Sequence, residues 1–171
     1  KRVLDCAKKF KVKIILETMG DCPIIDFNLL EQLINSFLVN DGFDYANNGQ
    51  FGLPNGMGCQ IFTTKALAKS YKNIKRNDEY DHVSLNIRRN KTIFKHLFLY
   101  ASKENYWPEL GVTLDEYEDF IFLKKIITIF ENKKNRFFKC SEMIQLLKKN
   151  KNLLKINHKV FRKQTNLKLN Y

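Results

Sequence analysis

The 171-residue chain is 44% hydrophobic, 28% charged and 13% aromatic, a globular composition of one domain's length, and no apolar run approaches the ~20 residues that cross a bilayer. Its four cysteines, Cys6, Cys22, Cys59 and Cys140, are scattered, which argues for reduced thiols in a cytoplasmic protein and against a disulfide framework or zinc site. The +12 charge is local: residues 1–119 hold 16 basic and 16 acidic side chains, whereas 120–171 hold 14 and 2, with no exposed aromatic interleaving of the kind single-strand binders use, so nucleic acid is not an expected partner.

Val3, Leu4, Ala7 and Phe10 in RVLDCAKKF have helical spacing, and VKIIL reads as a short β-branched strand. MGDCPIID follows, with Asp26 placed to cap a helix whose Leu30, Leu33, Ile34, Phe37 and Leu38 keep a 3.6-residue period. NDG ends that helix. FDYAN and CQIFT read as strands on either side of the glycine-rich NGQFGLPNGMG. KALAKSY is a short helix, YDHVSLNIRRN another, and KHLFLYA and GVTL are the last two strands. EYEDFIFLKKIITIF is a long helix, Ser141 is the expected cap of EMIQLLKKN, and a polar helix or tail closes the chain.

Strands alternating with helices predict an α/β fold with a mainly parallel sheet covered on both faces. Ligands in such folds bind beyond the carboxyl ends of the strands. Asp21 stands at the carboxyl end of VKIIL and Asp115 at that of GVTL, so the two carboxylates can converge on a hard cation, and Mg²⁺ takes one or two carboxylates plus water and phosphate oxygens. Turn and cap chemistry accounts for the same two residues separately. The spacing alone leaves both readings open.

GDCPIID, GLPNGMGCQIF, YDHVSLNIRRN and VTLDEYEDFIFLKKI occur in that order. Together they resemble the cytidylyltransferases that include spore-coat polysaccharide biosynthesis proteins, acylneuraminate cytidylyltransferases and CMP-Kdo synthetases. The spore-coat branch is most similar, with a pattern near GDCPLID, PDGLDVEVF, REHVTPYIR and TVDTPEDLELVR. The resemblance implies a three-layer α/β/α nucleotide-diphospho-sugar transferase fold, Rossmann-like with a mostly parallel sheet. It implies transfer of CMP from CTP to a sugar acid or related glycan precursor, with release of pyrophosphate, in surface polysaccharide biosynthesis. On this resemblance Asp21 and Asp115 are the Mg²⁺ ligands, and Gly20 and Asp21 contact the nucleotide. His82, Arg88, Arg89, Asn55 and Gln60 are assigned to the substrate. No catalytic residue is assigned. A homodimer is expected, with NNGQFGLPNGMGCQIF as its interface. Residues 1–131 are expected to form the cytidylyltransferase-like domain, and 132–171 a basic helical extension packed on it.

The chain also departs from that pattern. The family's opening strand and phosphate-cradling loop do not precede Lys1, so an N-terminally incomplete version of the fold is expected. Glu17 replaces the usual arginine before GDCP, and Asn55, Gly58 and Gln60 stand where acidic residues are usual. A degenerate, non-catalytic paralogue that binds a nucleotide or partner is the alternative within the fold. A basic nucleic-acid-binding domain is the alternative outside it.

Overall fold

The computed structural model describes residues 1–160. Helix α1 (Arg2–Lys9) buries Leu4 and Ala7, and strand β1 (Ile14–Glu17) follows it. Helix α2 (Phe27–Val39) starts at Asp26, whose carboxylate accepts the Asn28 N–H as the sequence predicted, and it buries Leu29, Leu33 and Phe37. Strands β2 (Tyr45–Asn47) and β3 (Gln60–Thr63) come next; Thr63 ends β3 and its hydroxyl caps helix α3 (Thr64–Lys72). Two short helices, α4 (Asp78–Asp81) and α5 (Leu85–Arg89), precede β4 (His96–Phe98). The chain continues through α6 (Tyr117–Asn132), α7 (Cys140–Lys149) and α8 (Lys151–Leu154). The end of the expected closing segment, residues 161–171, lies outside the described residues.

The sheet runs β1-β3-β2-β4. β3 is antiparallel to both neighbours and β2 is parallel to β4, so β1, β2 and β4 share one direction and β3 alone is reversed. The sheet is thus mixed, with three of the four described strands co-directional. Consecutive strand residues point to opposite faces, and both faces are covered. Tyr45 and Phe62 pack with Leu4, Ala66, Leu67 and Ile87 of α1, α3 and α5. Ala46 and Ile61 pack with Leu33 and Phe37 of α2. This is the expected α/β/α layering. A third cluster joins Ile24 and Leu29 to the apolar faces of α6 and α7, including Phe122, Ile126, Met143 and Leu147.

Three expected elements differ. GVTL forms no strand: it is held by a single bridge, Asn55 N–H to Leu110 O and Val112 N–H to Asn55 O, both 2.8 Å. Its end is drawn elsewhere, because the Leu114 N–H donates to Asp21 O. The bridge needs the close approach of Gly56, which has φ +102°; a Cβ there would lie 2.9 Å from the Val112 carbonyl carbon. YDHVSLNIRRN is two helices rather than one, broken over His82 to Ser84, where the Ser84 hydroxyl reaches across to Gln60 instead of capping α5. Ser141 is not the cap of α7: the helix begins at Cys140, whose N–H donates to Asp26 Oδ2 at 2.7 Å. The glycine-rich stretch is mostly buried inside this chain, with Asn47, Asn48, Leu53, Met57 and Cys59 all facing inward.

Candidate active site

β1 delivers the chain into the Met19–Cys22 turn, closed by the Cys22 N–H to Met19 O bond. Asp21 is half-buried, and its backbone carbonyl accepts the Leu114 N–H at 2.8 Å. That bond sets the loop after β1 against the segment leading to Asp115, across a separation of more than ninety residues. Both carboxylates act on one thiol. Burial first, then Asp21, whose Oδ1 lies 3.5 Å from Cys22 Sγ, and then Asp115 push the Cys22 thiol up to about 12. Gly20 sits in the same turn, with open space where a Cβ would project.

Asp115 is exposed, but its backbone is fixed. The N–H groups of Asp115 and Glu116 donate to Asp119 Oδ2 at 3.3 and 3.1 Å, and the Thr113 hydroxyl donates to the Asp115 carboxylate. Asp119 is completely buried, and its other oxygen accepts Asn157 Nδ2 at 2.8 Å. Asn157 also donates to Gly111 O, so the segment after α8 braces the loop. Asp119 and Asn157 are not among the residues expected from the sequence. Glu116 and Asp119 form a capping box at the start of α6, and that three-residue spacing was the available signal. Asn157 had none.

Among the described residues no three His, Cys, Asp or Glu side chains cluster as a complete metal site. Asp21 and Asp115 offer hard carboxylate oxygens, whereas the Cys22 thiol, pushed up to about 12, is a poor ligand. That donor set fits Mg²⁺, which completes its shell with water and phosphate oxygens, and does not fit a thiolate-seeking metal.

A second group sits on the α5 side of the same sheet edge. Glu17 and Gln60 are partners in the β1–β3 register, with Gln60 Nε2 donating to Glu17 Oε2 at 2.6 Å. Gln60 Oε1 accepts both the Tyr45 hydroxyl at 2.9 Å and the Ser84 hydroxyl at 2.7 Å. Burial raises the Glu17 carboxyl above its ordinary value, opposed by the Gln60 bond and by the charges of Arg88 and His82. Burial also pushes the Tyr45 phenol up. The Arg88 Nε is buried with no hydrogen-bond partner among the described residues, and the Arg88 charge acts on both Glu17 and Tyr45.

The remaining expected residues divide. His82 is exposed, at the break between α4 and α5, and its charge reaches Glu17. Arg89 turns away: it forks onto Asp78 at 3.0 and 2.7 Å and touches Glu79 at 3.5 Å, holding the Asp78 carboxyl down at about 2. That structural pairing removes Arg89 from the neighbourhood of Arg88. Asn55 gives its backbone to the Gly111 bridge and leaves its side chain exposed. Gln60, Arg88 and His82 therefore gather around Glu17, while Asp21 and Asp115 form the other pair. Tyr45 and Ser84 were missed because each reads as ordinary core and turn in the sequence.

No protein-family model matches the chain. A solved cytidylyltransferase from Leptospira borgpetersenii superposes with a TM-score of 0.83 at 29% identity, over 94% of this chain and 66% of that one. A spore coat polysaccharide biosynthesis protein of Bacillus subtilis is 27% identical over 154 residues, 87% of this chain and 62% of the relative. An uncharacterized protein of Methanocaldococcus jannaschii is 27% identical over 119 residues, 70% of this chain and 48% of the relative. The chain thus spans between about half and two thirds of the proteins it matches. These likenesses bear out the resemblance: the chain has the cytidylyltransferase fold and is similar in sequence to the spore-coat type. No described helix is long and apolar enough to cross a membrane.

Proposed function

We propose that the chain belongs to a nucleotidyltransferase that moves CMP from CTP to a sugar acid or related glycan precursor, releasing pyrophosphate, in polysaccharide assembly. The observation that carries this reading is the Leu114–Asp21 backbone bond, which holds the loop of Asp21 against the segment that leads into Asp115. Attack by a sugar hydroxyl on the α-phosphorus builds negative charge on the phosphate oxygens. Mg²⁺ bound by Asp21 and Asp115 would neutralise that charge and orient the triphosphate. Asp119 keeps Asp115 in place through two backbone donors. Arg88, the cation facing the Glu17 cluster, suits the carboxylate of a sugar acid, and the Glu17–Gln60 pair suits its hydroxyls.

The test is pyrophosphate release from CTP in the full open reading frame that contains this chain, using N-acetylneuraminate and Kdo as acceptors. Release is expected to need Mg²⁺, an acceptor and Asp21. A second arm uses the chain alone. Mg²⁺ with CTP should speed alkylation of Cys22, because cation binding cancels the carboxylate charge that raises the thiol. An unchanged alkylation rate together with release indifferent to Asp21→Asn overturns the proposal.

A further inference from the structure

A cavity of about 490 Å³ lies on the other side of the α2 start, between that helix, the segment following β4 and the start of α7. None of its lining residues belongs to the Asp21–Asp115 pair or to the Glu17–Gln60 group. Its size falls in the roughly 300–1,000 Å³ range of small-molecule sites. Its chemistry is distinctive: Asn28, Gln32 and Asn105 supply amides, Ser102 and Ser141 supply hydroxyls, and Tyr100 supplies an aromatic face. Tyr100 is 74% exposed, yet its ring is packed against Phe51 with centroids 4.5 Å apart, so it offers an open surface in a fixed position.

Two further observations narrow the ligand. Asn105 Oδ1 is buried without a hydrogen-bond partner among the described residues, while its Nδ2 donates to Ser102 Oγ at 3.1 Å. The Asn105 amide lines the cavity, and its Nδ2 carries a second N–H beyond the one given to Ser102. The cavity also meets the starts of two helices, which ordinarily attract an anion. Here that role is already filled: Asp26 accepts from Asn28 N–H at 2.8 Å and from Cys140 N–H at 2.7 Å. A free phosphate or carboxylate would confront this built-in carboxylate and that of Glu104, against the single cation Lys139 among the lining residues. The lining favours a neutral molecule with vicinal hydroxyls on one side and an apolar C–H face on the other.

We propose that this cavity binds a neutral pyranose unit of a glycan, stacked on Tyr100 and hydrogen-bonded by Gln32 and Asn105, as a carbohydrate site separate from the candidate active site. The inference does not depend on the chemistry proposed there. The test is saturation-transfer NMR and titration of the chain with methyl α-D-glucopyranoside, methyl α-D-galactopyranoside and methyl N-acetyl-β-D-glucosaminide. At least one glycoside should bind, with contacts at its ring C–H protons. Tyr100→Ala and Gln32→Leu should each weaken it by roughly tenfold, as loss of one aromatic or polar anchor does, while the melting temperature holds. Asp21→Asn and Arg88→Leu should leave it unchanged. The proposal is overturned if none of the glycosides binds, or if binding survives Tyr100→Ala and Gln32→Leu. It is also overturned if binding is lost with Arg88→Leu, which would seat the sugar beside Gln60, or if inorganic phosphate binds the cavity in preference to them.

Discussion

Asp26 is the residue whose loss should disturb the most structure for the least change in volume. It is 4% exposed, and its one carboxylate serves two helices: Oδ1 takes the Asn28 N–H of α2, and Oδ2 takes the N–H of Cys140, 114 residues along the chain, at the start of α7. Losing an N-cap costs about 1 kcal/mol. Losing a buried hydrogen bond to a charged acceptor costs about 1.5–3 kcal/mol. Asp26→Ala should therefore lose about 3 kcal/mol, a fall in Tm of roughly 6–12 °C for a chain of this size. Asp26→Ser should recover the α2 share only, about 1 kcal/mol, since a hydroxyl can cap its own helix but not span to Cys140. Asp26→Asn should also stay low, because its second atom is a donor that would face the Cys140 N–H. Urea and thermal melts by circular dichroism measure the totals, and hydrogen exchange at the Cys140 amide reads the α7 share. If Asp26→Ala costs under about 1 kcal/mol, or Asp26→Ser restores full stability, the shared cap is not holding α7.

In the full open reading frame, Asp21→Asn and Asp115→Asn should each cut Mg²⁺-dependent pyrophosphate release by about 100-fold or more, and the double variant should be little worse than either single one; additive losses would mean the two do not share a cation. At a fixed mildly alkaline pH, Asp21→Asn should speed iodoacetamide labelling of Cys22, since it removes one of the charges that hold the thiol at about 12; unchanged labelling would mean that Asp21 does not act on the thiol. Glu17 titrates higher in the folded state than its ordinary 4.5, so the folded chain binds that proton more tightly and stability should decline as pH rises from 4.5 through the raised value. Urea melts across that interval should show the decline flattened in Glu17→Gln; an identical slope in both proteins would refute the assignment.

Much of this was legible because the decisive signals were local. The 3.6-residue period from Leu30 to Leu38 and the Asp at position 26 were enough to place α2 and its cap. The alternation of strands and helices was enough for the layered fold. What the sequence could not reveal depended on distance. The direction of β3 is set by which strands it lies between, and no spacing within CQIFT encodes that. GVTL has strand composition, yet its backbone groups go to Asn55 and Asp21, so it never joins the sheet. Arg88 and Arg89 are adjacent and chemically alike, but a helix turns successive residues about 100° apart. One faces Glu17 and the other is spent on Asp78.

The Glu17–Gln60 contact also changes the weight of the departures from the spore-coat pattern. Read along the chain, an arginine replaced by Glu17 and an acid replaced by Gln60 look like two independent losses, as expected of a decaying site. In the sheet they are register partners, joined at 2.6 Å. With glutamate at position 17, an acid at position 60 would set two half-buried carboxylates against each other, and they could not both stay ionised. An amide there removes the repulsion and donates the hydrogen bond that Glu17 needs. Its oxygen still accepts from Tyr45 and Ser84, as a carboxylate would. The cluster thus keeps one carboxylate, carried on β1, with Arg88 as its facing cation. Random decay has no reason to make the second substitution answer the first. The two departures are therefore one coupled change across a single strand pair, which leaves the carboxylate on β1 and an amide on β3.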